Sequence, residues 1–340
     1  MKVSSKGEFG LIDSLSKLIA SNDKNVNRSR RELIIGIGDD AAVWKPSNPH
    51  QIATVDSLVE GIHFTLKTIA WRELGWKSVA VNLSDIAAMG GVPLYALISL
   101  GLPQNIDVAD VEELYKGMLQ ITDKYGVSIV GGDTVSSPFV FISVTVIGCA
   151  SNPFGKVMRR SAAKPGDIVA VTGELGASAG GLHMLLEKTK FPVKQASLLR
   201  KAHLMPVPRI AEGQALVAVG VKAGMDISDG LVGDLTHICE MSKVGAEINI
   251  DRVPVSPALQ KCYPEDALSL ALTGGEDYEL LFTAPPVIIK KLEKSGKIKF
   301  TIIGEIVGAH PGKVDLFDEF GKHVKINVRG WDHFAHNHAV

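Results

Sequence analysis

Seven aspartates in short, glycine-marked turns constrain this chain more than any other feature of its sequence. Most of them follow an apolar stretch that is typical of a strand or a buried helix. Acids placed in this way are expected to converge at the edge of a core, where they repel one another unless a positive group lies among them. The segments are GIGDDAAV (Asp39 and Asp40), TVDSLVEGIHF (Asp56), NLSDIAAMGG (Asp85), IVGGDT (Asp133) and MDISDGL (Asp226 and Asp229).

A hard divalent cation would suit such a group of acids. Mg²⁺ takes oxygen ligands and usually shares them with substrate phosphates. A single turn of this kind is equally well explained as an ordinary β-turn, because Gly and Asp dominate turns. Two adjacent acids in one turn, and several further acidic turns in the same chain, are harder to explain in that way. The pattern therefore predicts a metal-dependent enzyme that acts on phosphate groups.

Size, charge and cysteine content narrow the class of protein. The chain has 340 residues, which is more than one ordinary core organises, so we expect two domains. Its formal net charge of -1 provides no basic field for nucleic acid, and no basic amphipathic face suggests a membrane. The start of the chain lacks the apolar core of a signal peptide. The three cysteines are far apart and predict neither a disulfide framework nor a zinc site, so we expect a cytoplasmic protein.

Helical and strand patterns alternate along the whole chain. Short strands predicted near residues 33–55 argue against a purely parallel, doubly wound sheet, so we expect an α/β (α+β) fold with mixed sheets. A loop rich in Ser, Asn, Pro and Gly, SNPFGKVMRRSAAKPGD, is the expected boundary between domains at 1–150 and 151–340. Helical spacing is found over residues 7–20, 69–89, 108–125, 209–219 and 231–241.

Two motifs in the second half allow competing interpretations. TGELGASAGG contains the G-x-S-x-G pattern of a hydrolase nucleophile elbow, but its strand is expected to end near Thr172, which leaves Ser178 inside a helix. Small residues that permit close helix packing, or a backbone lining for phosphate, are the better interpretations. In TGGEDYELLF, Glu276 or Asp277 either caps a helix or faces a substrate.

Taken together, the motifs resemble one family nearly from end to end. GEFGLI, GIGDDAAV, DSLVEGIHF, AVNLSDIAAMGG, GGDT, RSAAKPGD, MDISDGL, GGEDYELLF and GWDHF occur in this order. The chain thereby resembles the thiamine-monophosphate kinases, a family of the aminoimidazole ribonucleotide synthetase-like superfamily of ATP-binding enzymes. Selenophosphate synthetases and the carbamoyl-dehydrating hydrogenase maturation enzyme fit less well, because the first needs a reactive residue in an N-terminal glycine-rich segment and the second a C-terminal cysteine.

The resemblance implies ATP-dependent phosphorylation of thiamine monophosphate, assisted by several Mg²⁺ ions. It also implies a homodimer, formed by the N-terminal domain, and ATP as co-substrate. In this family Ser-Thr-Asp often precedes the acidic loop, whereas this chain has Thr54-Val55-Asp56, so Val55 can offer only its backbone carbonyl. The positions that carry over are Asp40, Thr54, Asp56, Asp85, Asp133, Asp226 and Asp229 as metal ligands, Tyr115, Gly132, Asp133, Arg160 and Ser228 as ATP contacts, and His63, Glu276 and Trp331 as contacts to thiamine phosphate.

Among the metal ligands, Asp40, Asp56, Asp85 and Asp226 are expected to matter most for catalysis. Their charge, through the bound cations, would allow one anion to attack another. The residues alone leave two other functions open. A metal-dependent phosphohydrolase would use the same acids with water as the acceptor, and a non-catalytic nucleotide-binding module would bind ATP without turning it over. Another ATP-dependent reaction of the same superfamily is the remaining alternative.

Overall fold

The structure, a computed structural model, describes residues 1–22, 28–37 and 41–325. These residues form two compact units. The first contains Met1–Ile86 and Val92–Cys149, and the second contains Ala87–Gly91 and the chain from residue 150 to residue 325. Within the described ranges, no helix is long and apolar enough to cross a membrane.

The first unit combines a mixed sheet with two long helices. Its elements are α1 (Val3–Lys6), α2 (Glu8–Ser21), α3 (Arg28–Glu32), β1 (Leu33–Ile35), β2 (Val43–Trp44), β3 (Gln51–Val59), α4 (Trp71–Ala88), β4 (Gly91–Leu102), α5 (Val108–Tyr125), β5 (Ser128–Ser136) and β6 (Phe141–Ala150). The four-stranded sheet has the order β3-β6-β4-β5, with β3 antiparallel to β6 and β4 parallel to β5. Strands β1 and β2 form a separate antiparallel pair.

Helical periodicity explains how α5 packs in this unit. Val111, Leu114, Met118 and Ile121 recur at spacings of three and four residues, and all four are fully buried. The helix ends at Gly126, which adopts the left-handed conformation that glycine tolerates best. The second long helix, α4, is buried around much of its circumference, and its last turns carry the NLSD motif.

The second unit is built on a seven-stranded sheet. Its elements are a 3-10 helix (Arg160–Ala162), β7 (Ile168–Thr172), α6 (Ala177–Glu187), α7 (Val193–Leu204), α8 (Ile210–Val219), β8 (Ala223–Asp226), α9 (Leu231–Ser242), β9 (Gly245–Asn249), a 3-10 helix (Ile250–Arg252), α10 (Pro257–Cys262), α11 (Ala267–Thr273), β10 (Leu280–Ala284), α12 (Pro286–Ser295), β11 (Phe300–Val307), β12 (Val314–Phe317) and β13 (His323–Val324). The strand order is β13-β12-β9-β11-β7-β10-β8. All neighbouring strands are antiparallel except β12 and β9, which are parallel.

The order of this sheet brings two acidic turns together. Strand β8 ends at Asp226, directly opposite Leu280 at the start of β10. The turn MDISDGL follows β8 and the turn TGGEDY precedes β10. Both turns therefore lie at the same end of these two neighbouring strands. Beneath them, Val171, Leu281 and Leu235 belong to the main apolar core of the unit.

The expected fold class is confirmed, because the two larger sheets are mixed and helices alternate with strands. The structure adds elements that the sequence patterns did not predict, notably α7 and the four-residue strand β8. β8 reads AGMD, which is too short to show alternation, and it is a strand because β10 pairs with it.

Candidate active site

One candidate group of ligands lies in the first unit, where β3 meets α4. Thr54 and Asp56 are two residues apart on β3 and therefore share one face of the strand. The hydroxyl group of Thr54 donates a hydrogen bond to Oδ2 of Asp85 on α4. The backbone N–H of Asp56 donates to Oδ1 of Asn82, over 3.0 Å. Three of the predicted metal ligands thus come together, and Asn82 anchors the strand that carries two of them.

The two carboxylates of this group repel each other. Burial, and then the neighbouring charge of Asp85, raises the pKa of Asp56 to about 6. Among the described residues, no set of three or more Asp, Glu, His or Cys is arranged to hold a metal ion. Mg²⁺ is usually bound by only one or two carboxylates together with substrate phosphates, so this pair of acids fits that mode of binding.

The predicted ATP contacts Gly132 and Asp133 lie at the other edge of the same sheet. Asp133 is exposed on β5, and its Oδ1 accepts the N–H of Thr134. A side chain at position 132 would lie 2.0 Å from the carbonyl oxygen of Ile98, so only glycine allows this approach of the strands. Since β6 and β4 separate β5 from β3, Asp133 lies three strand spacings, about 14 Å, from the strand of Asp56.

Three further predicted contacts occupy different settings. Tyr115 is buried on α5, and burial raises the pKa of its phenol. His63 lies in the turn after β3, where its Nδ1 accepts the N–H of Val59. Arg160 belongs to the second unit and is exposed at the start of a 3-10 helix. Its carbonyl oxygen accepts the hydroxyl group of Ser242 over 2.7 Å, which leaves the guanidinium group outside this contact.

A second group of acids surrounds the turn after β8. Asp226 is 3% exposed at the end of the strand, and Ser228 and Asp229 follow it. Oδ2 of Asp234, in the first turn of α9, accepts the backbone N–H groups of Ser228 and Asp229 over 3.0 and 3.1 Å. Asp234 therefore fixes the shape of the turn that carries one predicted ATP contact and one predicted metal ligand.

Asp234 contacts this turn but was not predicted from the sequence. Burial, and then the charges of Asp229 and Asp226, raises its pKa to about 8. Its Oδ1 is buried and has no hydrogen-bond partner in the structure. An unsatisfied carboxylate oxygen beside two other acids fits a cation better than a purely structural turn does. The sequence offered one indication of this role, because Asp234 is an acid among the apolar residues of the segment SDGLVGDL.

The two acids of the TGGED turn have different surroundings. Asp277 accepts the N–H groups of Gly176 and Ser178 over 2.6 and 3.2 Å, which caps the N-terminus of α6. Burial raises the pKa of Asp277 to about 7. Glu276 instead donates its backbone N–H to the carbonyl oxygen of Ser228, over 2.8 Å. Helix-cap chemistry thus explains Asp277, and Glu276 lies beside the turn of Ser228.

The structure places Ser178 inside α6, as the sequence suggested, and not in a tight turn after β7. Ser178 is 1% exposed, so it does not form a hydrolase elbow. The neighbouring glycines serve packing. A side chain at Gly181 would lie 2.2 Å from the carbonyl oxygen of Leu199 on α7.

Asp40 and Trp331, which were predicted to bind metal and thiamine phosphate, lie outside the described residues.

A cleft of about 390 Å³ in the second unit is lined by Asp277, but by none of the residues carried over as contacts to ATP, metal or thiamine phosphate. Two of its polar lining residues, Arg209 and Glu279, form hydrogen bonds within the protein. Nε of Arg209 donates to Glu279 over 2.7 Å, and the hydroxyl group of Thr172 donates to the same carboxylate over 2.7 Å. These contacts satisfy the carboxylate of Glu279 within the protein.

Comparison with known proteins covers nearly the whole chain. Residues 38–150 match the N-terminal domain of the AIR synthase related protein family, and residues 164–316 match its C-terminal domain. The chain is 41% identical over 333 residues to the thiamine-monophosphate kinase of Buchnera aphidicola subsp. Schizaphis graminum, which spans 96% of this chain and 99% of that protein. It is 40% identical over 335 residues to the enzyme of Escherichia coli K12, which spans 97% of this chain and 98% of that protein.

Solved structures agree with these matches. A thiamine-monophosphate kinase from Stenotrophomonas maltophilia has a TM-score of 0.78 at 34% identity, covering 94% of this chain and 98% of its own. AaThiL complexed with AMPPCP and TMP has a TM-score of 0.75 at 35% identity, covering 98% of this chain and 99% of its own. The chain therefore belongs to the AIR synthase related protein family and, within it, to the thiamine-monophosphate kinases.

Proposed function

We propose that this protein transfers the γ-phosphoryl group of ATP to thiamine monophosphate, which gives thiamine diphosphate and ADP. The observation that carries the proposal is its likeness, along almost the entire chain, to thiamine-monophosphate kinases, one of which is known in complex with AMPPCP and TMP. Such a reaction needs acidic side chains that hold Mg²⁺, and the acids on β3 and α4 and after β8 are of this type.

In the proposed step, a phosphate oxygen of thiamine monophosphate forms a bond to the γ-phosphorus of ATP, and the bond from that phosphorus to the oxygen of departing ADP breaks. The attacking oxygen is already anionic near neutral pH, so no strong general base is required. Repulsion between two anions is the main barrier, and Mg²⁺ supplies neutralising charge and alignment when it is bound. Positioning by protein side chains provides the rest.

We assign the side chains to these tasks as follows. Thr54, Asp56 and Asp85 would hold Mg²⁺ in the first unit, where the hydroxyl group of Thr54 and the amide of Asn82 restrict the movement of the two acids. The further proposed ligands are Asp40, Asp133, Asp226 and Asp229. Tyr115, Gly132, Asp133, Arg160 and Ser228 are the proposed ATP contacts, and His63, Glu276 and Trp331 the proposed contacts to thiamine phosphate.

We also propose that residues 1–150 form the ATP- and Mg²⁺-binding domain and make a homodimer, with 151–340 as the C-terminal domain. Support for the dimer comes from the face of the sheet that points away from α4. Val55 is 60% exposed on β3, and it pairs with Thr145 on β6. Ala53 is also exposed and pairs with the half-exposed Ile147. This exposed face, on which Val55, Ala53 and Ile147 lie among polar residues such as Thr145, suits a second copy of the chain, and we expect the enzyme to work in the cytoplasm.

The experiment that tests the function is a product assay on the purified protein with ATP and Mg²⁺, with and without thiamine monophosphate. Equal amounts of ADP and thiamine diphosphate, formed only when both substrates are present, are the expected result. A chelator should abolish both products. ADP without thiamine diphosphate would instead indicate a phosphohydrolase or another acceptor, and would remove the substrate assignment.

A further inference from the structure

Three polar side chains from separate elements of the second unit meet beside the TGGED turn. Nδ1 of His203, on α7, lies 3.1 Å from the hydroxyl oxygen of Ser178 on α6. The same nitrogen lies 3.2 Å from Oε2 of Glu276. Ser178 and His203 are buried, whereas the side chain of Glu276 keeps 29% of its surface exposed. Glu276 is thus the member of the cluster that a ligand can reach.

The arrangement is not a nucleophilic relay. In a Ser–His–acid triad, one ring nitrogen faces the serine and the other faces the acid. Here a single nitrogen, Nδ1 of His203, lies within reach of both Ser178 and Glu276. The serine is also enclosed in α6. A role in orienting Glu276 therefore fits the geometry better than a role in covalent chemistry.

Close packing of α6 and α7 fixes the position of the histidine. Because a side chain at Gly181 would lie 2.2 Å from the carbonyl oxygen of Leu199 and 3.0 Å from Cβ of His203, glycine is needed for the two helices to meet here. His203 follows Leu199 by one helical turn and points towards Ser178. A buried histidine is uncommon in a core unless its polar atoms have partners, and this one has them.

The backbone of Glu276 is held from the opposite side. Its φ of 65° lies in the left-handed region, which is costly for a residue with a side chain. Its N–H donates to the carbonyl oxygen of Ser228, and the N–H of Tyr278, with φ of 52°, donates to that of Ile227. Such strain is maintained only where the surroundings enforce it, and it is concentrated at functional sites.

We propose that His203 is a positioning residue for substrate recognition, which holds the carboxylate of Glu276 in the orientation that binds thiamine monophosphate. The inference rests on the proposed function and on the assignment of Glu276 to the thiamine phosphate. The backbone contact with Ser228 sets where Glu276 lies, and the imidazole sets where its carboxylate points.

The test compares two polar replacements of the histidine. In His203→Asn the amide nitrogen takes the position of Nδ1 and can still contact Glu276, whereas in His203→Gln it is displaced by one bond. We expect His203→Gln to raise KM for thiamine monophosphate about tenfold, with kcat and KM for ATP changed less than about twofold. His203→Asn should restore most of the wild-type KM. The exposed pair His237 and Glu240 supplies a matched control, and His237→Gln should change nothing.

A double-mutant comparison separates this inference from the function on which it rests. In a Glu276→Gln background, His203→Gln should cause no further rise in KM for thiamine monophosphate, because the carboxylate it orients is gone. An equal rise in both backgrounds, or an unchanged KM in the folded His203→Gln protein, would overturn the proposal. If the wild-type enzyme made no thiamine diphosphate, the proposed function would fail first. If Glu276→Gln alone left KM unchanged, the assignment of Glu276 would fail.

Discussion

Asp85 makes one favourable and one unfavourable interaction with its neighbours. It accepts a hydrogen bond from Thr54, and its charge raises the pKa of Asp56. A residue placed in this way stabilises the fold through one contact and destabilises it through the other. Its value to the protein is therefore expected in function more than in folding.

We expect Asp85→Asn to lower kcat by about a hundredfold or more, because the variant removes a carboxylate that would hold the Mg²⁺ that neutralises and aligns the phosphates. The melting temperature should stay the same or rise, since the amide oxygen can still accept from Thr54 while the repulsion of Asp56 disappears. Steady-state kinetics and thermal unfolding measure the two effects. Glu113→Gln, at a half-buried acid paired with Lys116 on α5, is the control. Full activity in Asp85→Asn would contradict the assignment.

Asp277 is expected to make the unfolding free energy of the protein depend on pH. Its pKa is raised to about 7, so the folded state holds a proton that the unfolded chain releases near the ordinary value of 3.8. Its contribution to stability is complete below about pH 4 and is lost as the pH rises through about 7. Relative to Asp277→Asn, the wild type should therefore lose about 2 to 4 kcal/mol of unfolding free energy between pH 4 and pH 8. Denaturant unfolding at several pH values measures the difference, and a constant difference would show that Asp277 is ionised throughout.

At the scale of helices and strands, two glycines set how α4 lies against α5. A side chain at Gly75 would lie 1.8 Å from the carbonyl oxygen of Leu114, and one at Gly117 would lie 1.9 Å from that of Arg72. The backbones of the two helices are therefore in direct contact. This contact fixes the helix that presents Asp85 to β3.

Gly117→Ala should force the helices apart and destabilise the protein by about 1 to 3 kcal/mol, by overpacking against backbone that cannot move aside. Activity should fall as well, because α4 carries a proposed metal ligand. Gly233→Ala on α9 is the matched control. Among the described residues, and apart from the backbone of α9 itself, no atom lies within 4 Å of a side chain placed there, so the variant should be neutral or slightly more stable through helix propensity. Equal unfolding free energies for the two variants would refute the packing argument.

At the scale of the whole molecule, the exposed face of β3 is where we expect the proposed homodimer to form. If a second copy covers it, Val55→Asp should give a monomer in sedimentation experiments, whereas the wild type should be a dimer. The folded protomer should survive, because Val55 is 60% exposed. Val287→Asp, at a valine that is 70% exposed on α12, should leave the dimer intact. A monomeric wild type would remove the homodimer from the proposal.

The sequence by itself determined the local structure and the type of chemistry. Apolar periodicity predicted α2, α4, α5, α8 and α9, and glycine-marked turns predicted where acids would leave the strands. Both signals depend on neighbours within a few residues, so they can be read without the fold. The order of the motifs was also sufficient to indicate the family to which the chain belongs.

Only the tertiary structure decided which of these groups meet. Thr54 reaches Asp85 across 31 positions because β3 lies against α4, and Asp133 lies at the far edge of that sheet because β6 and β4 intervene. Asp234 and His203 acquire their roles from contacts with a turn after β8 and with Glu276. Such pairings depend on strand order and helix packing between distant segments, which leave no periodic signal in the chain. The sequence therefore predicted the type of chemistry, but it did not predict which residues the fold brings together.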